Sequence, residues 1–177
     1  MMRVITRKRP AFMTPHRWIF VITATILLLG TAFGVYFREI QMPEWTAESE
    51  AERRAVDEAG LAVADRVYHH IWHQESWIVE GIDKTDNDVF VWITEGKPPK
   101  VIAEDDGVSL RQLKNTFLVE QPDAKLKRIQ PGLFDGGPVW EIFYSIGEKP
   151  ERYYYDFYTF DSGTFIDRYR LPSKTEP

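Results

Sequence analysis

Ser76-Trp-Ile-Val-Glu-Gly-Ile82, and beyond a turn Val89-Phe-Val-Trp-Ile93, mark the point where the chain changes its periodicity. In the first segment Trp77, Val79 and Gly81 alternate with Ile78, Glu80 and Ile82, the period of two that sends successive side chains to opposite faces of a strand. The second is an apolar strand that includes Trp92. Asp83-Lys-Thr-Asp-Asn-Asp88 between them is rich in turn formers. Gly96, Pro98 and Pro99 then punctuate the chain, and Lys100–Ala103 reads as a third, short strand.

Upstream, a long helix is predicted from about Thr46 to His73. Thr46 suits its N-cap, and Glu48, Glu50 and Glu52 suit the positive end of its dipole. Ala51, Ala55, Ala59, Ala62, Val67 and Ile71 recur at threes, fours and fives as a small apolar stripe. Gly60 would weaken its middle by about 1 kcal/mol relative to alanine.

Downstream the cycle repeats. Ser109 followed by Gln112 is a capping box, opening a helix from Leu110 to about Glu120 that Pro122 stops. Four strands are predicted after it, Ala124–Ile129, Val139–Ile146, Arg152–Phe160 and Thr164–Leu171. Turns fall at Gly136-Gly137-Pro138, Gly147–Pro150 and Asp161-Ser-Gly163. A helix followed by an antiparallel meander, twice over, is an internal duplication of pattern. Trp77-Ile-Val-Glu corresponds to Val139-Trp-Glu-Ile, and Val89-Phe-Val-Trp-Ile to Tyr154-Tyr-Asp-Phe. The fold class is α+β, a helix on a curled antiparallel sheet in each half.

The N-terminal region carries a different signal. Trp18 to Phe37 is twenty residues with no ionisable group besides Tyr36, and a helix of that length spans about 30 Å, the thickness of a bilayer core. Arg3, Arg7, Lys8, Arg9 and Arg17 precede it without a single acid, so the positive-inside rule keeps residues 1–17 in the cytoplasm. Residues 18–37 would be a transmembrane signal-anchor, and everything from Arg38 onward would lie outside the cell. Ala32 and Gly34 form a small-x-small pair that a signal peptidase could accept. The apolar run, however, exceeds the ~7–15 residues of a usual signal core and continues through the cut site. Residues 38–106 would hold a juxtamembrane linker containing Pro43 and a first globular unit, and residues 107–172 a second.

Of the 22 basic residues, five precede Trp18, leaving 17 to set against all 27 acidic ones, a net −10 beyond the anchor. An acidic surface repels phosphate and argues against nucleic acid as a partner. There is no cysteine, which removes disulfides, thiol nucleophiles, thiolate metal sites and a lipid anchor.

The ordered motifs Trp77-x-Val79-x-Gly81-x-Asp83-Lys84, Phe90-Val-Trp92, Asp106-Gly107-x-Ser109, Val139-Trp-Glu141 with Tyr144, and Tyr155-Asp-Phe157 with Gly163 resemble the TseB (YpmB-like) cell wall elongation regulators of Gram-positive bacteria. The resemblance spans Trp18 to about Leu171. The N-terminal tail is longer than that family's pattern, and nothing is carried over at Pro122-Asp123 and Asp135-Gly136-Gly137, which do not align with it. The resemblance implies two tandem cystatin-like units of PepSY type. It implies a regulator of peptidoglycan synthesis that binds a penicillin-binding protein or another wall-elongation component. It implies no catalytic residue and no cofactor. The alternative function is a PepSY-like inhibitor or chaperone of an extracytoplasmic peptidase.

Individual residues support binding over chemistry. Placed on a helix, His69 and His73 at i, i+4, or His70 and His73 at i, i+3, would bring two imidazoles to one face, but zinc would still need a third and a fourth ligand, for which Glu75 is the only close candidate; a solvated helix end explains the three histidines as well. Asp83, Asp86 and Asp88 lack the glycine and glutamate of a calcium loop and fit a hairpin turn. Glu104-Asp105-Asp106 fits a strand exit. No nucleophile elbow, His-Glu-x-x-His or phosphate loop occurs, and the chain is not expected to be an enzyme. Tyr153, Tyr155 and Phe157 fall on one face of a strand, and Tyr154, Tyr158 and Phe160 on the other. With a helix covering one face, Tyr153, Tyr155 and Phe157 are the candidate partner-binding residues, unless the other half of the chain covers them.

Overall fold

The computed structural model describes residues 15–172. They run as helix α1 (Pro15–Asp57), strands β1 (Leu61–Ile71), β2 (Glu75–Asp83), β3 (Asp88–Thr94) and β4 (Lys100–Ala103), and a 3-10 turn (Glu104–Asp106). Helix α2 (Leu110–Glu120) and strands β5 (Lys125–Phe134), β6 (Gly137–Ile146), β7 (Arg152–Thr159) and β8 (Phe165–Arg170) complete the fold. The chain divides into two compact units that meet at Trp45 and Thr46.

The described part of the first unit, residues 15–45, is helical. His16–Arg38 is long and apolar enough to cross a membrane, and every large apolar side chain from Trp18 to Phe37 is exposed. Its threonines hide their polarity locally: the Thr25 hydroxyl donates to the Val21 carbonyl at 2.8 Å and that of Thr31 to the Leu27 carbonyl at 2.9 Å. The linker expected over Arg38–Trp45 is helical instead. Most of the basic tail, residues 1–14, lies outside the described residues.

The second unit holds two antiparallel four-stranded meanders, ordered β1-β2-β3-β4 and β5-β6-β7-β8. The helix predicted from Thr46 to His73 stops at Asp57, and Leu61–Ile71 is a strand. Gly60 sits between them at φ +79°, a left-handed conformation that ends helices and that side-chain-bearing residues avoid. Downstream of it Val63, Val67, Tyr68 and Ile71 are the β-branched and aromatic residues that favour a pleated surface. The other elements match their predicted positions closely, although β5 runs on to Phe134 through Pro131. That proline is tolerated because β5 is an edge strand.

Two cores follow from the alternation. On one face of the first sheet Val79, Val89, Val91 and Ile93 pack against Ala51 and Ala55 at the end of α1. Its other face, with Ile78, Phe90 and Trp92, joins Leu113 and Phe117 of α2 and Leu133, Trp140, Ile142, Tyr144, Tyr158 and Phe160 of the second sheet in one continuous core. Ser109 caps α2 as predicted, its hydroxyl accepting the Gln112 N–H at 3.3 Å. The repeat therefore holds for elements, with β2 matching β6 and β3 matching β7. The residue pairing of Ile78 with Trp140 is one step out of phase, because Ile78 turns away from α1 whereas Trp140 lies on the face that packs on α2.

Buried phenols make this unit sensitive to alkali. Burial, with a hydrogen bond to Glu80, pushes the Tyr68 hydroxyl up to about 12, and burial also raises those of Tyr144 and Tyr158. A phenol whose folded value exceeds its unfolded one, near 10, stabilises fully below pH 10 and loses that contribution as pH climbs through the folded value. Stability measured by thermal denaturation is expected to fall steeply between pH 10 and 12, and Tyr68→Phe to flatten that fall.

Candidate functional site

The histidines do not converge. His69 and His70 are neighbours on β1, so they point to opposite faces, and the shared helical face needed for a metal pair does not exist. His69 stacks flat on Trp77 at 4.1 Å and contacts Glu75 through Nε2 at 2.9 Å. His73 lies past the strand end, its Nδ1 3.1 Å from Asp135, and both side chains are largely exposed. Among the described residues, no group of three or more His, Cys, Asp or Glu is arranged to hold a metal.

His70 is different, being 1% exposed. Its Nδ1 accepts the Leu133 backbone N–H at 3.3 Å, which leaves Nε2 to carry the proton and donate to Glu141 at 3.1 Å. Glu141, also buried, accepts from Arg128 at 2.9 Å and Gln130 at 3.2 Å on its other oxygen. Trp92 of β3 donates its indole N–H to the Gly132 carbonyl at 2.8 Å. A Cβ on residue 132 would stand 2.5 Å from the His70 ring, so only glycine lets the first sheet seat there. These bonds join residues 40 to 71 positions apart and fasten the two sheets together.

The turn carboxylates resolve as a hairpin. Asp83 accepts the backbone N–H groups of Asn87 at 3.0 Å and Thr85 at 2.7 Å, together with the Thr85 hydroxyl. The Asn87 backbone bond first, and these side-chain bonds after it, hold the Asp83 carboxyl at about 2.

The tyrosine strand β7 is covered on both faces at one end. Tyr158 and Phe160 belong to the main core, with Tyr154 packed at its edge. On the opposite face Phe157 is fully buried with Phe134 and Val139, and Trp72, Tyr155 and Tyr169 close over them. Phe157 is therefore not available to a partner, which corrects its place among the candidate residues. Trp72, from the turn after β1, lies 4.8 Å from Phe157 and 5.6 Å from Tyr155 between ring centroids.

What stays open is the other end of that face. Phe143, Tyr153 and Tyr155 are half-buried and form a stack, with Phe143 4.7 Å from Tyr155 and 5.8 Å from Tyr153. Tyr153 donates its hydroxyl to Glu151 at 2.8 Å, and Ser145 donates to the same carboxylate at 2.7 Å. These bonds hold Glu151 below its ordinary range. Lys127 approaches Glu151 at 3.6 Å, and half-exposed Arg128 sits opposite Phe143 on the neighbouring strand. Ordered aromatic faces beside a fixed guanidinium are the composition favoured where proteins recognise one another. Trp72, Phe143 and Arg128 had no signal in the sequence pattern, because only tertiary packing brings them to this face.

Comparison with solved structures finds the fold in the YpmB protein from Bacillus subtilis, with a TM-score of 0.61, 20% identity, and coverage of 70% of this chain and 96% of that one. No family model matches the chain. No curated protein matches it either.

Proposed function

We propose that the chain is a YpmB-like regulator of the TseB family, anchored by one membrane helix with its N-terminus in the cytoplasm. Its two sheet-bearing halves act as tandem cystatin-like PepSY units outside the cell and bind a peptidoglycan synthesis enzyme of wall elongation, a penicillin-binding protein being the foremost partner. It works by binding, without chemistry of its own. The observation that carries this reading is the YpmB fold covering nearly all of that structure, together with an apolar helix ahead of it. The open stack of Phe143, Tyr153 and Tyr155 is the surface offered to the partner.

Membrane crosslinking and affinity purification of the full chain test this directly. A penicillin-binding protein among the captured proteins supports the reading, and a peptidase in its place supports the inhibitor alternative. Tyr153→Ala with Tyr155→Ala is expected to weaken capture about tenfold, the scale of one lost aromatic anchor, while the circular dichroism spectrum keeps its native form. Orientation has its own test. Protease added to cells with opened walls is expected to degrade the chain beyond Arg38 and spare an N-terminal tag, because the positive charge lies before Trp18. Protection of the C-terminal unit would reverse the topology, and a soluble fragment beginning near Val35 would show signal cleavage.

A further inference from the structure

Strand β4 is one of the two edge strands of the first sheet. An edge strand leaves a row of backbone N–H and C=O groups without a ladder, and proteins usually blunt it with charge, proline or a cover. In Lys100-Val-Ile-Ala103 the only charge is Lys100, while Pro98 and Pro99 stop short of the strand and Val101 is 44% exposed.

Two cavities border this strand. One, of about 250 Å³, is lined by Lys100, Ile102, Pro138, Phe160 and Asp161. The other, of about 190 Å³, is lined by Asp86, Asp88, Glu104 and Asp105. Partial burial, and after it the charges of Asp88, Glu80 and Asp105, raise the Glu104 carboxyl above its ordinary value, as expected of acids crowded without a cation. From β1 through the 3-10 turn the chain carries ten acidic residues against four basic ones.

We propose that β4 receives an extended segment of a partner protein as a fifth strand, with a lysine or arginine entering the acidic cavity and an apolar side chain entering the cavity beside Ile102. Backbone hydrogen bonding supplies the docking and the two cavities supply selectivity, the mode of strand addition. The first sheet is antiparallel throughout, and the added strand continues that sense. Lys100 and Ile102, two apart on the strand, share a face, and Glu104 opens the 3-10 turn directly beyond it, so the three read the pattern basic-x-apolar-x-acidic from the segment's N-terminal side.

The test is fluorescence anisotropy of the full-length chain in detergent micelles with a labelled heptapeptide, Thr-Arg-Thr-Leu-Thr-Glu-Thr. Binding is expected, weakened at least tenfold by Asp88→Lys with Asp105→Lys, both of which are exposed positions. Of two peptides N-methylated on alternate residues, one is expected to lose at least tenfold and the other to bind normally. Bound peptide is also expected to slow amide exchange within β4. No binding, equal binding of both methylated peptides, or indifference to the charge reversal would overturn the proposal. A concentration-dependent dimer abolished by the same charge reversal would assign the edge to a second copy of the chain and overturn it too.

Discussion

Trp140→Ala is expected to cost about 3–5 kcal/mol of unfolding free energy, the range for deleting a large buried aromatic. The side chain is 2% exposed. It stacks on Phe160 at 5.2 Å and meets Phe90 edge-on at 5.8 Å, so the cavity would open in the core shared by both sheets. Its indole N–H donates to the Val108 carbonyl at 3.1 Å, holding the segment that enters α2. The substitution removes apolar burial, two aromatic contacts and that hydrogen bond together. Chemical denaturation followed by near-ultraviolet circular dichroism measures it, and a cost under about 1 kcal/mol would mean the neighbours collapse into the gap.

Asp156→Ala is the second large effect, expected at about 3 kcal/mol. Asp156 is fully buried, and Arg168 grips both of its oxygens, at 2.8 Å through Nε and 2.7 Å through Nη2. Tyr144 donates its hydroxyl to the same carboxylate at 3.1 Å. Removing the acid strands a buried hydroxyl and leaves a guanidinium over the rings of Tyr144, Tyr154 and Phe165 without its counter-charge. Breaking such a pair from one side typically costs about 3–5 kcal/mol. The lower figure applies because the Arg168 side chain keeps 37% of its surface in water. Restoring shape with Arg168→Met beside Asp156→Leu is expected to recover part of the loss, since apolar replacement of both partners avoids an orphaned charge.

Local signals in the chain were readable where local physics dominates. The alternation of Ser76–Ile82, the Ser109 cap and the Pro122 stop each act within a few residues, and β2, α2 and the strand order follow from them. Gly60 shows where such reading failed. An alanine stripe continues past it at helical spacing, yet its left-handed backbone breaks the helix, and the strand beyond is held by pairing with β2. That error carried the three histidines onto a helix they do not occupy. His70 with Glu141, and Trp72 over Phe157, join positions more than 70 apart; nothing within a local window encodes them. The candidate face was legible as a tyrosine strand, but its division into a closed end and an open end was not.

The continuous core between the sheets also orders events in time. During synthesis the first four strands are complete before α2 exists, with Ile78, Phe90 and Trp92 waiting for partners as distant as Phe160. Contacts of such long sequence separation close slowly, because the loop entropy is spent before the burial is gained. The nascent chain therefore presents one greasy sheet face until its last third has been made. This interval is where a chaperone would bind it and where a truncated product would aggregate.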